Sequence, residues 1–522
     1  MNRLGLYCSR CSAKLPFRYL DMKCDCGGTL LVDYDWERIR RTLTKEVIQT
    51  RYPSMWRYKD LLPVSNPDCI TTLGEGWTPL LRLKAWEQKL PIRQLWLKRE
   101  EQNPTGSFKS RGFSVAVSLL KELGATKAAV PSNGNAAGAL AAYAACAGIA
   151  ASVFIPLDCP PLIVDECPLY GAATYLVDGF IHDAAAIIED GKQEQGWVNV
   201  GTLKEPGRVE GKKTMGLELA EQLNWTFPDV IIYPTGGGSG IIGMWKAYHE
   251  LKAMGWIDGP LPRFVCVQEE GCQPIVDGLI VFGQAVGSGG AKETTTSEQV
   301  SGDSGQVNGD SGQRSEPMTT ASEITTNVRA GGVSGQICEP MTTASAGGVS
   351  GQRSEPMTSE QASEITTNVR AGGVSGQICE PMTTASEGAV NEQMGRELAG
   401  ARAAEVRADG ASPTGMRVPK PPDVELILSI IVESGGTAIA LSKSQIADAT
   451  RTLGSQGISS SPEGSATWAG LLALCDNGWL RPSDSVVLFN TSHAMKYTQL
   501  AHSSQLPIIR SYEDYRKHHL LP

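Results

Sequence analysis

No run of about 18 uncharged apolar residues occurs that could cross a bilayer, and the opening MNRLGLYCSRCSAKLPF lacks the apolar stretch of a secretory signal. The expectation is a soluble, cytoplasmic chain without a membrane partner. Bulk positive charge is missing as well: Lys plus Arg is 47 against 56 Asp plus Glu, a formal net charge of -9. That balance argues against a nucleic-acid partner held by charge. Aromatics are absent from one long stretch, with no Phe, Trp or Tyr between Phe282 and Trp468. Dinucleotide binding is not indicated either, because no GxGxxG follows a first strand with an acidic residue about 20 positions on.

What is present is ordinary globular material. Apolar residues are 41% and charged residues 20% of 522 positions, which excludes a wholly disordered or collagen-like chain. At roughly 100–200 residues per domain this length predicts two to four domains. The 13 cysteines are uneven, with Cys8, Cys11, Cys24 and Cys26 crowded into the first segment. That suits a metal knuckle in a reducing compartment better than a disulfide framework. Residues 1–36 read as Cys-x-x-Cys, a spacer, Cys-x-Cys-Gly-Gly, then the alternating Thr29-Leu30-Leu31-Val32-Asp33-Tyr34. Four thiolates can close a tetrahedral zinc site. A structural zinc ribbon, a ribbon without metal and a nucleic-acid module share this pattern, and the lack of a basic cluster weighs against the third.

From about residue 71 to 284, short β-branched runs alternate with helical stretches. Strands are expected at 128–130, 151–155 and 230–233, and helices at 113–123, 136–148 and 241–251. Such alternation predicts an α/β fold with mainly parallel sheets and helices on both faces. Between 285 and 415 the texture changes: SGQRSEPMT stands at Ser311 and again at Ser350, and ASEITTNVRAGGVSGQICEPMTTAS at Ala321 and again at Ala362. A duplication rich in Ser, Thr and Gly without apolar periodicity cannot offset its ordering entropy. Residues 285–415 are therefore expected to be a disordered, removable insertion between a core of 37–284, with a smaller subdomain at about 112–205, and its remainder at 416–522. The fold pattern resumes with helices at 425–433, 442–453 and 468–476 and a buried strand at 485–489.

Three loops carry chemistry. Asn103-Pro104-Thr105-Gly106-Ser107-Phe108-Lys109-Ser110-Arg111-Gly112 delivers one lysine at the start of a helix. A lysine that attacks an aldehyde must be neutral, and both the helix N-terminus and Arg111 disfavour its protonated form. Pro131-Ser132-Asn133-Gly134-Asn135-Ala136-Ala137-Gly138 follows an apolar run and can lie against a flat ring. Pro234-Thr235-Gly236-Gly237-Gly238-Ser239-Gly240 leads from a strand into a helix, the arrangement that holds a phosphate.

LKREEQNPTGSFKSRG, PSNGNAAGA, PTGGGSG and FNTSHAMKY, in that order, resemble the threonine synthase family of pyridoxal-phosphate enzymes. The resemblance covers nearly everything outside the insertion, including Gly74-Glu75-Gly76-Trp77-Thr78-Pro79-Leu80, Arg208-Val209-Glu210-Gly211-Lys212-Lys213-Thr214 and the Cys-rich ribbon. It implies the tryptophan-synthase β-like fold (PLP fold type II), two doubly wound domains with mainly parallel sheets. It implies pyridoxal 5'-phosphate on Lys109 as a Schiff base, Asn135 on the ring hydroxyl, Gly236, Gly237, Gly238, Ser239 and Gly240 around the cofactor phosphate, and Thr491 at the pyridine nitrogen. The implied reaction takes O-phospho-L-homoserine and water to L-threonine and phosphate, in a homodimer. A second anion site is then required, for which Arg111, Lys213, Thr105 and Ser107 are the candidates.

Three positions depart from the family pattern. Ser110 stands where an acidic residue is usual, His493-Ala494-Met495-Lys496 replaces His-Gly-Leu-Lys, and Pro156-Leu157-Asp158-Cys159-Pro160-Pro161-Leu162 has no lysine. The alternatives are a serine/threonine dehydratase or a cysteate-synthase-like replacement enzyme on the same scaffold, and a cofactor-binding protein without catalysis whose insertion recruits partners.

Overall fold

The computed structural model describes residues 2–17, 23–288, 413–497, 509–512 and 516. Every described element belongs to one compact unit, Met1–Lys292 with Ala385–Pro522. The repeats of the expected insertion lie outside the described residues. Within its expected bounds of 285–415, a helix continues to Ser288 and the described residues resume at 413.

The chain begins with a small antiparallel sheet, β1 (Arg3–Cys8) flanked by β2 (Lys14–Leu15) and β3 (Leu30–Tyr34). Leu30, Leu31, Val32 and Tyr34 of β3 are buried. Helices α1 (Trp36–Thr42) and α2 (Lys45–Gln49) follow, each started by a side chain that accepts a first-turn amide, Asp35 from Arg38 and Thr44 from Val47. The small sheet is fastened to the rest by Thr29, whose amide and hydroxyl donate to Asp423 Oδ2 at 3.1 and 2.6 Å.

The body holds two sheets. β4 (Leu80–Arg82), α3 (Lys84–Glu87) and β5 (Gln94–Arg99) lead into α4 (Lys109–Glu122). A four-stranded parallel sheet then forms from β6 (Lys127–Pro131), α5 (Asn135–Ala147), β7 (Ala150–Pro156), α6 (Pro161–Leu169), β8 (Ala173–Val177), α7 (Ile181–Gln195) and β9 (Val198–Asn199), in strand order β8-β7-β6-β9. These elements fall within the stretch of about 112–205 where a smaller subdomain was expected. Next come α8 (Gly207–Gln222), β10 (Val230–Pro234), α9 (Ser239–Ala253), β11 (Arg263–Glu269) and α10 (Pro274–Ser288). Beyond the undescribed stretch stand α11 (Val424–Glu433), β12 (Thr437–Leu441), α12 (Lys443–Ser455), α13 (Pro462–Asp476) and β13 (Ser485–Asn490).

The second sheet runs β12-β11-β10-β13-β5-β4, parallel except where β4 meets β5. Strands β10 and β13 lie at its centre and are buried at every position, which is why they read as continuous apolar runs rather than alternating ones. Trp468 on α13 fills one face of this sheet, and Ile242, Ile427 and Ile431 fill the other.

Helix α8 is the anomaly. Its sequence, GRVEGKKTMGLELAEQ, is rich in charge, yet 15 consecutive residues from Gly207 are buried. Charge in such a place needs a partner on every side. Towards β5 and α4, Arg111 donates to both carboxylate oxygens of Glu100 and of Glu218, at 2.6–2.8 Å, and Lys98 donates to Glu218 at 2.9 Å. Burial alone would raise the Glu218 carboxyl, but the Arg111 and Lys98 cations hold it down at about 2. Towards β3 and α9, Lys213 and Lys246 alternate with Glu210 and Glu250 in a closed ring, with the Tyr34 hydroxyl donating to Glu210 at 2.7 Å. The close approach of α4 requires Gly211, where a Cβ would stand 2.0 Å from the Arg111 carbonyl oxygen.

Candidate functional site

One pocket gathers the ends of both sheets. Its lining comes from Lys109, the loop after β6 (Ser132 to Ala136), the loop after β10 (Pro234 to Gly240), Thr491 and Ser492 after β13, and Thr414, Gly415, Met416 and Glu463. Carboxyl ends of parallel strands are where open α/β sheets bind ligands. The backbone ties these parts together: Phe108 N donates to Thr491 O at 3.0 Å and His493 N to Gly106 O at 3.0 Å.

Lys109 opens α4 and is half-buried in the pocket, its Nζ lying 3.8 Å from the centre of the Phe108 ring. Burial, and then the Arg208 cation, lower its pKa to about 7, against the opposing pull of Glu463. The cation that acts on Lys109 is not the expected Arg111. Arg111 is neutralised by its two carboxylates, and the uncompensated neighbour is Arg208, a residue nearly one hundred positions away.

The loop after β10 ends in Gly238 at φ +76, whose absent side chain would collide with Ile427, and opens α9. The first amides of a helix have no partner within it and point outward. Asn135 opens α5, where its Oδ1, like that of Asn133, is buried without a hydrogen-bond partner. Thr414 Oγ1 and Glu463 Oε2 are buried in the same state. Pocket walls therefore present Lys109, outward amides and several orphaned acceptors to whatever fills them.

The family of pyridoxal-phosphate dependent enzymes matches residues 71–346, more than half of the chain. The chain belongs to the pyridoxal-phosphate dependent enzymes. Among curated relatives, the threonine synthase of Methanocaldococcus jannaschii is 36% identical over 271 residues, covering 52% of this chain and 66% of the relative. That of Methanosarcina acetivorans is 36% identical over 276 residues, with 52% and 67% covered. The chain thus matches about two thirds of the length of these relatives. Among solved structures, Escherichia coli diaminopropionate ammonia lyase superposes with a TM-score of 0.51 at 13% identity, over 85% of this chain and 95% of that one. An O-ureido-L-serine synthase gives 0.50 at 13% identity, over 88% and 99%. These two show the same fold.

For a pyridoxal-phosphate enzyme the pocket residues fit the cofactor. Lys109 supplies an amine that is half neutral near pH 7, the α9 amides face a phosphate, and the orphaned acceptors suit the ring's polar groups. Of the residues expected from sequence, Lys109, Asn135, Gly236, Gly237, Gly238, Ser239, Gly240 and Thr491 all line this pocket. The expected second anion site does not form from the residues named for it. Arg111 is consumed by Glu100 and Glu218, and Lys213 by Glu210 and Glu250. Thr105 is spent on Ser110, their hydroxyls 2.7 Å apart, and Ser107 is buried beside Ser492 outside the lining.

The cation that does line the pocket is Lys212, one residue earlier on α8, with its Nζ 2.7 Å from Ser239 Oγ. Burial, then Arg208 and Lys109, push its pKa well down. Glu463 and Thr414 had no sequence signal. Thr414 and Gly415, which fell inside the stretch 285–415 expected to be removable, also line the pocket. His493 lies outside the lining; its Nδ1 accepts the Met495 amide at 3.1 Å and meets Ser459 Oγ at 3.1 Å, so it shapes the turn after β13.

Only the neutral amine of Lys109 attacks an aldehyde. The rate at which the cofactor-free chain takes up pyridoxal phosphate, followed by absorbance, is therefore expected to rise with pH, reach half its maximum near pH 7 and then level off. An inflection at the pKa of an exposed lysine, about 10.4, would contradict this burial effect.

Proposed function

We propose that the chain is a threonine synthase that converts O-phospho-L-homoserine and water to L-threonine and phosphate. The observation that carries this reading is a second lysine, the buried Lys212, in the same pocket as Lys109 and outside any carboxylate pair, an amine that a phosphate placed beside it would hold protonated. A phosphate in the pocket, the cofactor's beside Ser239 or a second one brought by the substrate, gives that amine a proton and a partner. The curated relatives named threonine synthase support the same assignment.

Bound pyridoxal phosphate supplies the electron sink that acidifies the α and β protons of an amino-acid substrate, so that phosphate leaves from the γ carbon and water adds at the β carbon. The chain's own residues do the rest. With a pKa of about 7, Lys109 Nζ can hold or release a proton with little driving force either way, as a general acid and base requires. The first amides of α9, with Gly236 to Gly240, hold the cofactor phosphate. Asn135 orients the ring hydroxyl. Thr491 offers a hydroxyl rather than a carboxylate to the ring nitrogen, which leaves it less firmly protonated and suits elimination and replacement over transamination. Lys212 holds the leaving phosphate.

The test is product formation from O-phospho-L-homoserine in the presence of pyridoxal phosphate. Phosphate and L-threonine are expected in equal amounts, both lost in Lys109→Ala and reduced about a hundredfold in kcat/KM in Lys212→Ala, the loss of roughly 2.7 kcal/mol from a charge-assisted contact. Ammonia release from serine or threonine, with no phosphate from phosphohomoserine, would instead assign a dehydratase.

Zinc belongs to the same proposal. The thiols of Cys8, Cys11, Cys24 and Cys26 lie within 4.8 Å of one another, with Cys8 and Cys26 3.4 Å apart and Cys11 and Cys24 3.5 Å apart. A tetrahedral site with zinc–sulfur bonds of about 2.3 Å has edges of roughly 3.8 Å, so the four atoms need only small shifts to reach it. Metal analysis is expected to find one zinc per chain, lost together with thermal stability in Cys11→Ser; a metal-free, equally stable preparation would overturn the assignment. A cytoplasmic homodimer completes the proposal, with light scattering as the check on its mass. Among the described residues no helix is long and apolar enough to cross a membrane.

A further inference from the structure

A second cavity, of about 340 Å³, lies between the small N-terminal sheet and the outer face of α9. It shares no lining residue with the cofactor pocket. Tyr7, Trp36 and Trp245 give it flat apolar walls. Two of these are fixed from behind: Trp36 packs on Tyr34 with ring centres 5.5 Å apart, and Trp245 Nε1 donates to Glu433 at 2.8 Å. Indoles held this way need little further ordering to receive a ligand.

The polar part is balanced. Lys14 and Asp33 stand at the rim as an ion pair of 3.2 Å, Lys246 and Glu250 form the floor, and His249 lines the wall with its Nε2 2.9 Å from Glu433. Lys14 is 78% exposed in its side chain, so its pair with Asp33 contributes little and is easily exchanged. An isolated anion or cation would meet one favourable and one unfavourable charge here. A zwitterion replaces the rim pair charge for charge, its carboxylate on Lys14 and its ammonium on Asp33, while an apolar side chain enters between the indoles. The volume falls within the range of about 300–1,000 Å³ that serves small ligands.

We infer that this cavity is a second ligand site that takes a free amino acid with an apolar side chain. Its floor belongs to the buried ring of Lys246, Glu250, Glu210 and Lys213, and the last two are on α8, whose opposite face carries Lys212 into the cofactor pocket. A ligand here therefore bears on the helix that carries a pocket cation.

The test is calorimetric titration of the full chain, loaded with pyridoxal phosphate, with L-valine, L-isoleucine and L-phenylalanine, and with their N-acetyl and methyl-ester derivatives. At least one free amino acid is expected to bind once per chain, with both blocked forms at least tenfold weaker. Asp33→Asn and Trp245→Ala should each weaken binding at least tenfold while cofactor absorbance stays unchanged, which shows that the variants are folded. Four results would overturn the inference: no heat from any of the three, equal binding of blocked and free forms, binding that survives both substitutions, or light scattering showing that two copies join through Trp245.

Discussion

The structure depends on keeping a charged helix buried. α8 carries Arg208, Glu210, Lys212, Lys213 and Glu218, all nearly inaccessible to water, and leaving one such charge without its partner costs about 3–5 kcal/mol. Each side of the helix must therefore meet a surface that already holds the complementary charge. Glu100, Lys98 and Arg111 provide it on the side of β5 and α4, and Lys246, Glu250 and Tyr34 on the side of α9 and the N-terminal sheet. The third side carries Arg208 and Lys212, of which Lys212 reaches the pocket. Glu205 approaches there, but burial pushes its carboxyl up to about 7 despite the Arg208 cation, so it compensates only in part.

That imbalance has a chemical consequence. On this side basic groups outnumber carboxylates, and burial together with the Arg208 cation lowers the pKa of Lys109 and Lys212, so Lys109 becomes a usable nucleophile and base at neutral pH. The same excess attracts phosphate. One device, the incomplete neutralisation of α8 on its pocket side, thus serves both the reactive lysine and the anions it works beside. The N-terminal sheet takes part indirectly, since Tyr34 from β3 helps set the ring that fixes the opposite side of the helix.

Much of this was legible in the sequence, for reasons that differ by element. The parallel strands β10 and β13 are buried at every position and read as unbroken apolar runs, which marked the loops after them, while the motifs shared with the threonine synthase family singled out Asn135, Gly236 to Gly240 and Thr491, all of which line one pocket. Lys109 was marked by its position at a helix start. The second cation was misplaced because Lys212 and Lys213 are adjacent, and a step of about 100° along a helix decides which one faces the ligand. Arg111 was misjudged because its partner Glu218 is 107 positions away. Glu463 and Thr414 were missed for a similar reason: they reach the pocket from beyond the repeats, where no local motif marks them. Helix α13 starts at Pro462 rather than near Trp468, since Ser461 caps it and Pro462 suits its first turn.

The central claim is that, of the two lysines lining one pocket, Lys109 is the one that carries the cofactor. Borohydride reduction of the chain with bound pyridoxal phosphate, followed by peptide mass mapping, tests it most directly. The account predicts a single phosphopyridoxyl group, on Lys109. A group on Lys212, or a spread over several lysines, would contradict it.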